Sequence, residues 1–371
     1  MLSRRAFLGG SAAALSLAAT NPSLADVLYG PADGIVKLNA NENPYGPSRK
    51  AIKAMRQAIR EGSYYADTSV QTLVTMISER FGIPEEQVSL SSGSSGALRS
   101  LASAMLKEGN VLGPDLFWDT TTRLAMQQGG QLKRTPKTED LGIDLDALDS
   151  AMSPDISMIQ ICNPNNPTGM VLDPDALRAF CLKASETCTV LVDEAYNEIT
   201  DDPDANSMID LVREGHNVVV ARTFSKVYGM AGMRVGYIMA TPETTQKLRQ
   251  FSNGKYNMNQ AGVAGAIASL DDEKFLAYSR SKIFEAREMI MEAVRENGLT
   301  AAPSTTSFVY VNLGDLDANA FRAAMAERNI LIRGVYQDYT SWSRVSAGRL
   351  EDVEKYVEAL PAALDAVRAM S

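Results

Sequence analysis

The sequence predicts an α/β protein with a large, mostly parallel central sheet and a smaller α+β domain. Six short runs of continuous apolar residues lie between residues 88 and 240, and continuous runs are typical of strands buried on both faces. Segments with the apolar spacing of helices separate these runs, as expected where crossover helices join parallel strands. The chain has 371 residues, 45% of them hydrophobic and 22% charged, which is enough for one large and one smaller domain.

The first 25 residues have the composition of an export signal. SRRAFL, residues 3–8, contains an arginine pair, and a small, apolar stretch follows from Gly9 to Thr20. Ser23-Leu24-Ala25 then offers small residues to a signal peptidase. The apolar stretch is too short and too rich in Ala and Gly for a membrane-spanning helix. We therefore expect a twin-arginine signal over residues 1–25, cleavage near Ala25, and a periplasmic protein without a membrane attachment; a disordered basic N-terminus is the alternative.

An extended arm and two amphipathic helices follow. LNANENPYGPS, residues 38–48, is dense in Asn, Pro and Gly and predicts the arm. Ser48 is the expected N-cap of the first helix, and Gly62 and Gly82 are the expected ends of the two helices. We expect their apolar stripes to face the core. The stripes consist of Ile52, Met55 and Ile59 in the first helix, and of Val70, Leu73, Val74, Ile77 and Phe81 in the second.

The remaining elements divide into two groups. The strands of the central sheet are VSLSS, NVLG, ISMIQIC, TVLVDE, NVVVART and VGYIMA. After residue 270 come a helix over 275–297, the strand SFVYVNL, a helix near 318–328, the segments ILIRGV and RVSAG, and a final helix. We therefore expect an arm that contributes to the small domain over residues 26–60, a large domain over 61–265 and a small domain over 266–371.

Polar motifs follow four of the predicted strands. They are GSSG (residues 93–96), NPNNPTG (163–169), DEAY (193–196) and RTFSK (222–226). Ligands of parallel α/β sheets bind beyond the carboxyl ends of the strands, so these motifs are predicted to converge. Each has an ordinary alternative on its own: a flexible turn, a helix cap or a solvated lysine. Their combination in this order rarely arises by chance.

The motifs NPNNPTG, VDEAY and TFSKVYGMAGMRVGY resemble those of the fold-type I pyridoxal-phosphate enzymes, specifically the class I/II aminotransferases. NENPYGPS and ILIRGV with RVSAG resemble the histidinol-phosphate aminotransferase-like branch. The resemblance covers essentially the whole chain after the signal. It implies pyridoxal 5′-phosphate as cofactor, an amino acid or amino-phosphate as donor, a 2-oxo acid such as 2-oxoglutarate as acceptor, and a homodimer with shared active sites.

The resemblance also implies roles for four residues around the cofactor ring. Lys226 would condense with the cofactor aldehyde as a Schiff base and later move a proton, which needs a lysine with a lowered pKa. Asp193 would pair with the pyridine nitrogen and keep it protonated, so that the ring accepts electrons. Asn166 and Tyr196 would donate hydrogen bonds to the phenolic oxygen of the ring.

A phosphate cup and an aromatic plate complete the implied cofactor site. Arg234, eight residues after Lys226, would contact the phosphate, together with the helix start at Ser94 and Ser95 and with the hydroxyls of Thr223 and Ser225. Tyr65 would reach the phosphate across a dimer interface, to which the segment 255–259 also contributes. Trp118 is the expected plate over the ring, and Phe117 is its alternative.

The implied substrate residues are Arg344, Arg333 and Tyr45. Arg344 in RVSAG would bind a carboxylate or phosphate of the substrate. Arg333 and Tyr45 would grip the distal phosphate of a histidinol-phosphate-like donor, although Arg333 could equally be a surface residue of a strand.

Several function classes do not fit the sequence. The net charge of −9 provides no basic surface for nucleic acid. A hydrolase usually needs a histidine base beside its nucleophile, but the single histidine, His216, lies away from every motif. SSGSSGAL does not match the glycine fingerprint of nicotinamide enzymes. The three cysteines lack metal-like spacing and are expected to be buried free thiols, and no metal site is predicted. A decarboxylase of an amino-acid phosphate and a non-catalytic periplasmic protein that binds the same cofactor remain as alternatives.

Overall fold

The computed structural model describes residues 30–370, so the predicted signal peptide lies outside the described residues. Residues 30–35 belong to a separate unit, in which the Ile35 N–H donates to the Ala32 carbonyl at 3.1 Å. The second unit begins at Val36 and contains all the elements below. None of the helices among the described residues is both long and apolar enough to span a membrane.

Helices and strands alternate through most of the second unit. The strands are β1 (Val36–Lys37), β2 (Val88–Ser91), β3 (Asn110–Pro114), β4 (Leu132–Thr135), β5 (Ile156–Cys162), β6 (Thr189–Asp193), β7 (Val218–Thr223), β8 (Gly236–Met239), β9 (Thr300–Ala301), β10 (Phe308–Asn312), β11 (Ile330–Leu331) and β12 (Trp342–Ser346). The helices are α1 (Arg49–Ala58), α2 (Asp67–Phe81), α3 (Ser94–Glu108), α4 (Thr120–Ala125), α5 (Leu145–Ser150), α6 (Pro174–Ala184), α7 (Ile209–Arg213), α8 (Pro242–Arg249), α9 (Gln260–Leu270), α10 (Glu273–Glu296), α11 (Ala318–Ala326) and α12 (Leu350–Arg368).

The central sheet has seven strands in the order β2-β8-β7-β6-β5-β3-β4. Strand β8 runs antiparallel to both of its neighbours, and all other pairs from β7 to β4 are parallel. The prediction of a mostly parallel sheet is therefore confirmed, and the six apolar runs became β2, β3, β5, β6, β7 and β8. Strand β4 was not predicted, because its sequence LKRT lies at the sheet edge with two exposed residues and lacks an apolar run.

Two hydrophobic clusters cover the two faces of this sheet. Val190, Val192 and Val220 pack into the larger cluster, whereas Leu191 and Val219 pack into the second. Side chains of a strand alternate between its faces, so a strand buried on both sides needs apolar residues at every position. This explains the continuous apolar runs in the sequence.

A buried ion pair joins the carboxyl ends of β6 and β7. The Glu194 carboxylate accepts hydrogen bonds from Nε and NH2 of Arg222 at 3.1 and 2.7 Å, and both residues are buried. Ser207 and the Met208 N–H also donate to this carboxylate. Consecutive residues of a strand point to opposite faces of the sheet, so the side chains of Glu194 and its neighbour Asp193 lie on opposite faces. The ion pair fixes the spacing of the two strands that carry the central motifs.

The C-terminal part contains a three-stranded antiparallel sheet, in the order β12-β10-β9, and the long helices α10 and α12. The arm contributes to this part through β1, which pairs in parallel with β11, with Val36 opposite Ile330. The predicted helix over 275–297 is α10, which begins two residues earlier. Only two residues of ILIRGV form a strand. The domain boundaries themselves stay a prediction.

The predicted caps Ser48 of α1 and Gly82 of α2 are confirmed, whereas the prediction that the first helix ends at Gly62 is wrong, because Gly62 follows the 3₁₀ turn Ile59–Glu61. Ser48 Oγ accepts the Ala51 N–H at 3.1 Å, and α2 ends at Gly82, whose φ of +62° favours glycine. Met55 is buried, but the expectation that Ile59 faces the core is wrong. Helix α1 ends at Ala58, Ile59 lies in the 3₁₀ turn that follows, and its side chain is 65% exposed.

Candidate active site

A cleft of about 760 Å³ lies at the carboxyl ends of the central strands. The structure brings twelve of the fourteen predicted site residues to its wall. They are Ser94, Ser95, Trp118, Asn166, Asp193, Tyr196, Thr223, Ser225, Lys226, Arg234, Arg333 and Arg344.

Lys226 lies three residues beyond the end of β7, and its amine points into the cleft. Its Nζ donates a hydrogen bond to the carbonyl oxygen of Asn41 at 2.8 Å and lies 5.3 Å from the centroid of the Tyr196 ring. Burial lowers the pKa of Lys226 to about 8, with a further lowering by the positive charge of Arg344 and an opposing contribution from Asp193. A substantial fraction of this lysine is therefore a neutral amine near pH 8, in the form that can act as a nucleophile or base.

Asp193 is the last residue of β6, and its side chain is almost fully buried. Burial raises the pKa of Asp193 to about 7, while a hydrogen bond from the Ala195 N–H at 3.3 Å and the charge of Lys226 oppose this rise. No arginine or lysine forms an ion pair with Asp193 among residues 30–370. A buried carboxyl of this kind gains most from a ligand that brings a protonated nitrogen.

A network of amides connects the arm to the strands. The hydroxyl oxygen of Tyr196 accepts hydrogen bonds from Nδ2 of Asn41 at 2.8 Å and from Nδ2 of Asn166 at 3.3 Å. Oδ1 of Asn166 accepts in turn from NH1 of Arg344 at 2.6 Å. Burial raises the pKa of Tyr196, so its phenol stays protonated and can itself donate to a ligand oxygen.

Arg344 is a buried guanidinium that lacks a carboxylate partner within the described part of the chain. Burial lowers the pKa of Arg344, and its Nε is a buried donor that no acceptor satisfies. Buried charges are normally paired, since an unpaired one costs several kcal/mol. Arg344 is therefore suited to bind the anionic group of a ligand.

A cup for a second anion lies around Arg234. Its NH2 donates to Ser95 Oγ at 3.1 Å and its NH1 to Ser225 Oγ at 3.3 Å. Helix α3 begins beside them and has no side-chain cap, so its first N–H groups are available to an anion. Gly93 precedes this helix with a φ of +70°, and a Cβ there would lie 2.1 Å from NH2 of Arg234. Only glycine lets the guanidinium approach the helix start.

The aromatic residues of GPDLFWD separate clearly. Trp118 is partly buried and lines the cleft. Phe117 is fully buried, and its ring packs against Gly113 so closely that a Cβ at that glycine would lie 2.7 Å from the ring. Phe117 therefore belongs to the packing beneath the loop, and Trp118 is the aromatic side chain that can contact a ligand.

Two predicted residues do not line the cleft of this chain. The Tyr45 hydroxyl accepts the Leu350 N–H at 3.0 Å, and its ring packs edge-on against Tyr278. Tyr65 is 70% exposed and contacts the ring of Tyr256.

Sequence reasoning missed several residues of the cleft wall. Asn41 is the central one, because its carbonyl holds Lys226, its amide holds Tyr196 and its Oδ1 accepts from Ser346. The signal was present in the motif NENPYGPS, which begins with this residue. The other missed residues include Glu42, Asp119, Arg123, Tyr336 and Gln337.

His216 and the cysteines take no part in a metal site. Within residues 30–370, no group of three His, Cys, Asp or Glu side chains could hold a metal ion. The prediction of buried free thiols is confirmed for Cys162, Cys181 and Cys188.

Known proteins share this arrangement of sequence and fold. The family "Aminotransferase class I and II" matches residues 33–360. Histidinol-phosphate aminotransferase 1 of Cupriavidus pinatubonensis is 35% identical over 334 residues, which is 89% of each chain. Histidinol-phosphate aminotransferase 2 of Ralstonia nicotianae is 36% identical over 333 residues, again 89% of each chain.

Solved structures agree with these relatives. The histidinol-phosphate aminotransferase from Sinorhizobium meliloti, determined in complex with pyridoxal-5′-phosphate, superposes with a TM-score of 0.82 at 28% identity, covering 96% of this chain and 100% of that one. The L-threonine-O-3-phosphate decarboxylase from Porphyromonas gingivalis has a TM-score of 0.77 at 22% identity, covering 89% and 100%, and this likeness shows a shared fold alone.

The titration of Lys226 can be measured directly. In protein freed of small molecules, acetylation of Lys226 should reach half its maximal rate near pH 8, below the ~10.4 of an unperturbed lysine. Asp193→Asn should lower this midpoint, because the carboxylate favours the charged amine, and Arg344→Met should raise it. Peptide mass spectrometry after labelling across pH gives the midpoints. A midpoint for Lys226 near ~10.4, the value of an unperturbed lysine, would contradict the burial of its amine.

Proposed function

This chain belongs to the class I and II aminotransferases, and we propose that it moves the amino group of a phosphorylated donor of the histidinol-phosphate kind to a 2-oxo acid. The enzyme is a pyridoxal-phosphate-dependent transaminase. One observation carries the function: Lys226 and Asp193 share a cleft between the anion cup of Arg234 and the unpaired guanidinium of Arg344. Two close relatives are named for histidinol phosphate, and this supports the choice of donor.

The residues of the cleft fit pyridoxal phosphate. The Arg234 cup, which includes Ser94, Ser95, Thr223 and Ser225, would hold the phosphate, and its unused helix N–H groups need an anion. Asp193 would meet the ring nitrogen, which supplies the cation that this buried carboxyl lacks. Asn166 and Tyr196 would face the phenolic oxygen, and Trp118 would cover the ring.

The protein supplies the proton transfers and the binding. When bound, the cofactor supplies an electron sink for the charge left at the donor carbon. The lowered pKa of Lys226 makes its amine available as a base. In that role the amine would remove the proton from the donor carbon and deliver it to another atom of the bound molecule. Asp193 keeps a facing nitrogen protonated through charge and hydrogen bonding. Arg344 orients an anionic group of the substrate, and the buried wall around Tyr196 excludes water from these transfers.

We propose further that two chains form a dimer that completes each site. The large apolar side chains that are strongly exposed include Ile59, Tyr64, Tyr65 and Tyr256. Tyr65 and Tyr256 are in edge contact, with ring centroids 5.5 Å apart, so they form one patch. Exposed aromatic residues of this size are typical of interfaces. In this proposal Tyr65 reaches the phosphate of the partner's cofactor.

We also propose export through the twin-arginine route. The support is the sequence alone: the arginine pair at Arg4 and Arg5, the apolar stretch and the small residues before Ala25. This route carries folded proteins, so the cofactor could be inserted before export.

The transaminase assignment depends on Lys226. Cofactor-loaded enzyme given L-histidinol phosphate and 2-oxoglutarate should form glutamate, and Lys226→Ala should lose ~100- to 10,000-fold of this rate, because the proton-transfer base is gone. Lys53→Ala, an exposed lysine, is the control. Glutamate is measured by chromatography and carbon dioxide in parallel. Release of carbon dioxide would favour the decarboxylase, and failure of every amino donor and amino-phosphate tested would contradict the proposal.

The shared site can be tested by subunit mixing. Lys226→Ala and Tyr65→Ala should each be nearly inactive, but their mixture should recover about a quarter of wild-type activity, because half of randomly reassorted dimers carry one intact site. Activity after denaturation and joint refolding is the readout. Each variant refolded alone is the control. A mixture as inactive as its components, or a monomeric mass for the wild type, would refute the shared site.

Export can be tested with the full-length chain. The wild type should be found in the periplasm with an N-terminus near Asp26, and Arg4→Lys with Arg5→Lys should keep it in the cytoplasm. Fractionation and N-terminal sequencing give the result. Periplasmic recovery of the lysine variant would rule out the twin-arginine route.

A further inference from the structure

The plate loop, residues 115–119, carries Trp118 and joins β3 to α4. Side chains of other elements donate to its first four carbonyl groups: Arg134 to Asp115, Asn165 to Leu116, Gln337 to Phe117 and Gln160 to Trp118. Carbonyl groups that lie outside helices and sheets need such partners wherever they are buried. The position of Trp118 therefore depends on side chains that reach the loop from outside.

Arg134 binds this loop at both ends. It lies on the edge strand β4, and its NH1 donates to the carbonyl oxygen of Asp115. Its NH2 forms an ion pair with Oδ2 of Asp119. The guanidinium also packs over the Phe117 ring, 5.5 Å from its centroid. A single side chain thus holds the residues directly before and directly after Trp118.

The ion pair of Arg134 with Asp119 is largely shielded from water. The Asp119 side chain is buried, and only 29% of the Arg134 side chain is exposed. The other carboxylate oxygen of Asp119 accepts from Nε of Arg123 at 3.1 Å, so this carboxylate is held from two sides. A shielded pair contributes more than an exposed one, and a planar guanidinium with several fixed partners has one orientation. The pair therefore fixes the end of the plate loop.

Trp118 has one packed side and one open side. It packs against the second hydrophobic cluster and also lines the cleft. Its own carbonyl accepts from Gln160 at 3.4 Å, which is long for a hydrogen bond and restrains the residue weakly. The orientation of the indole is therefore set mainly by the neighbouring residues that Arg134 holds.

We propose that Arg134 is a positioning residue that holds Trp118 against the bound cofactor ring through the plate loop. The inference rests on the placement of Trp118 over that ring in the proposed function. Aromatic stacking needs ring centroids ~4.5–7 Å apart, so a displaced loop would lose it. Arg134 is not among the described residues that line the cleft, so its effect on the cofactor has to pass through the loop.

The hold on the loop can be measured without the cofactor. Trp118 and Trp342 are the two tryptophans of the chain, so Trp342→Phe leaves Trp118 as the single fluorescent reporter. In this background, Arg134→Met should shift the emission to longer wavelength and increase its quenching by acrylamide, because water reaches the indole more easily. Arg134→Lys should have an intermediate effect, because the charge remains without the planar fork. Lys133→Met is the matched control: it lies on the same strand but binds Asp155, at 2.6 Å.

A double-mutant cycle on cofactor affinity shows whether Arg134 acts through Trp118. Arg134→Met should weaken the binding of pyridoxal 5′-phosphate ~3- to 10-fold, the range expected when an aromatic stack is lost. In a Trp118→Ala background the same substitution should cause no further loss, because the stack is already gone. Lys133→Met should bind as the wild type does. The affinities are measured by equilibrium titration at a temperature below the unfolding of every variant.

The outcomes separate this role from a structural one. Arg134→Met leaves Asp119 paired with Arg123, so it does not strand a buried carboxylate, and Arg134→Lys can replace it in the cycle. Unchanged emission of Trp118, or losses of affinity that simply add, would overturn the role of Arg134. If Trp118→Ala binds the cofactor as tightly as the wild type, the placement of Trp118 fails, and the role of Arg134 fails with it. None of these measurements uses an amino donor, so failure of the proposed reaction would leave their results unchanged.

Discussion

The site depends on the way in which β6 and β7 are held side by side at their carboxyl ends. Glu194 and Arg222 form a buried ion pair on one side of this sheet end, while Asp193 and Lys226 are presented on the other. Breaking such a pair by removing one partner typically costs about 3–5 kcal/mol. The same alternation of side chains that buries the pair directs the functional groups into the cleft. Stability and function thus share the same few residues of two neighbouring strands.

Desolvation then gives the two functional groups their properties. Burial brings the pKa of Lys226 down to about 8 and that of Asp193 up to about 7, so the pKa of each group lies close to physiological pH. Neither group would behave in this way on the surface. A cofactor with a protonatable nitrogen and an aldehyde meets both needs, and the family to which the chain belongs uses pyridoxal phosphate.

The arm links the two halves of the site. Its strand β1 pairs with β11 of the C-terminal part, and Asn41 a few residues later binds Lys226 and Tyr196 of the central sheet. From the other side, Arg344 on β12 binds Asn166, and Gln337 donates to the carbonyl of Phe117 at 3.2 Å. The wall around Asp193 is therefore built by the central sheet, and the wall around Arg344 by segments distant from it in sequence.

The sequence by itself determined the α/β class, six of the seven central strands, and the motifs that place Lys226, Asp193, Asn166 and Arg234 at strand ends. These features are local. A strand that is buried on both faces needs a continuous apolar run, and the residues that directly follow the run lie at the carboxyl edge of the sheet. Only the tertiary structure decided that Asn41 anchors Lys226, that Trp118 rather than Phe117 faces the cleft, that Ile59 is exposed, and that Asp119 fixes Arg123. Those facts depend on which distant segments meet and on which side of a turn a side chain emerges, and neither leaves a periodic signal in the chain.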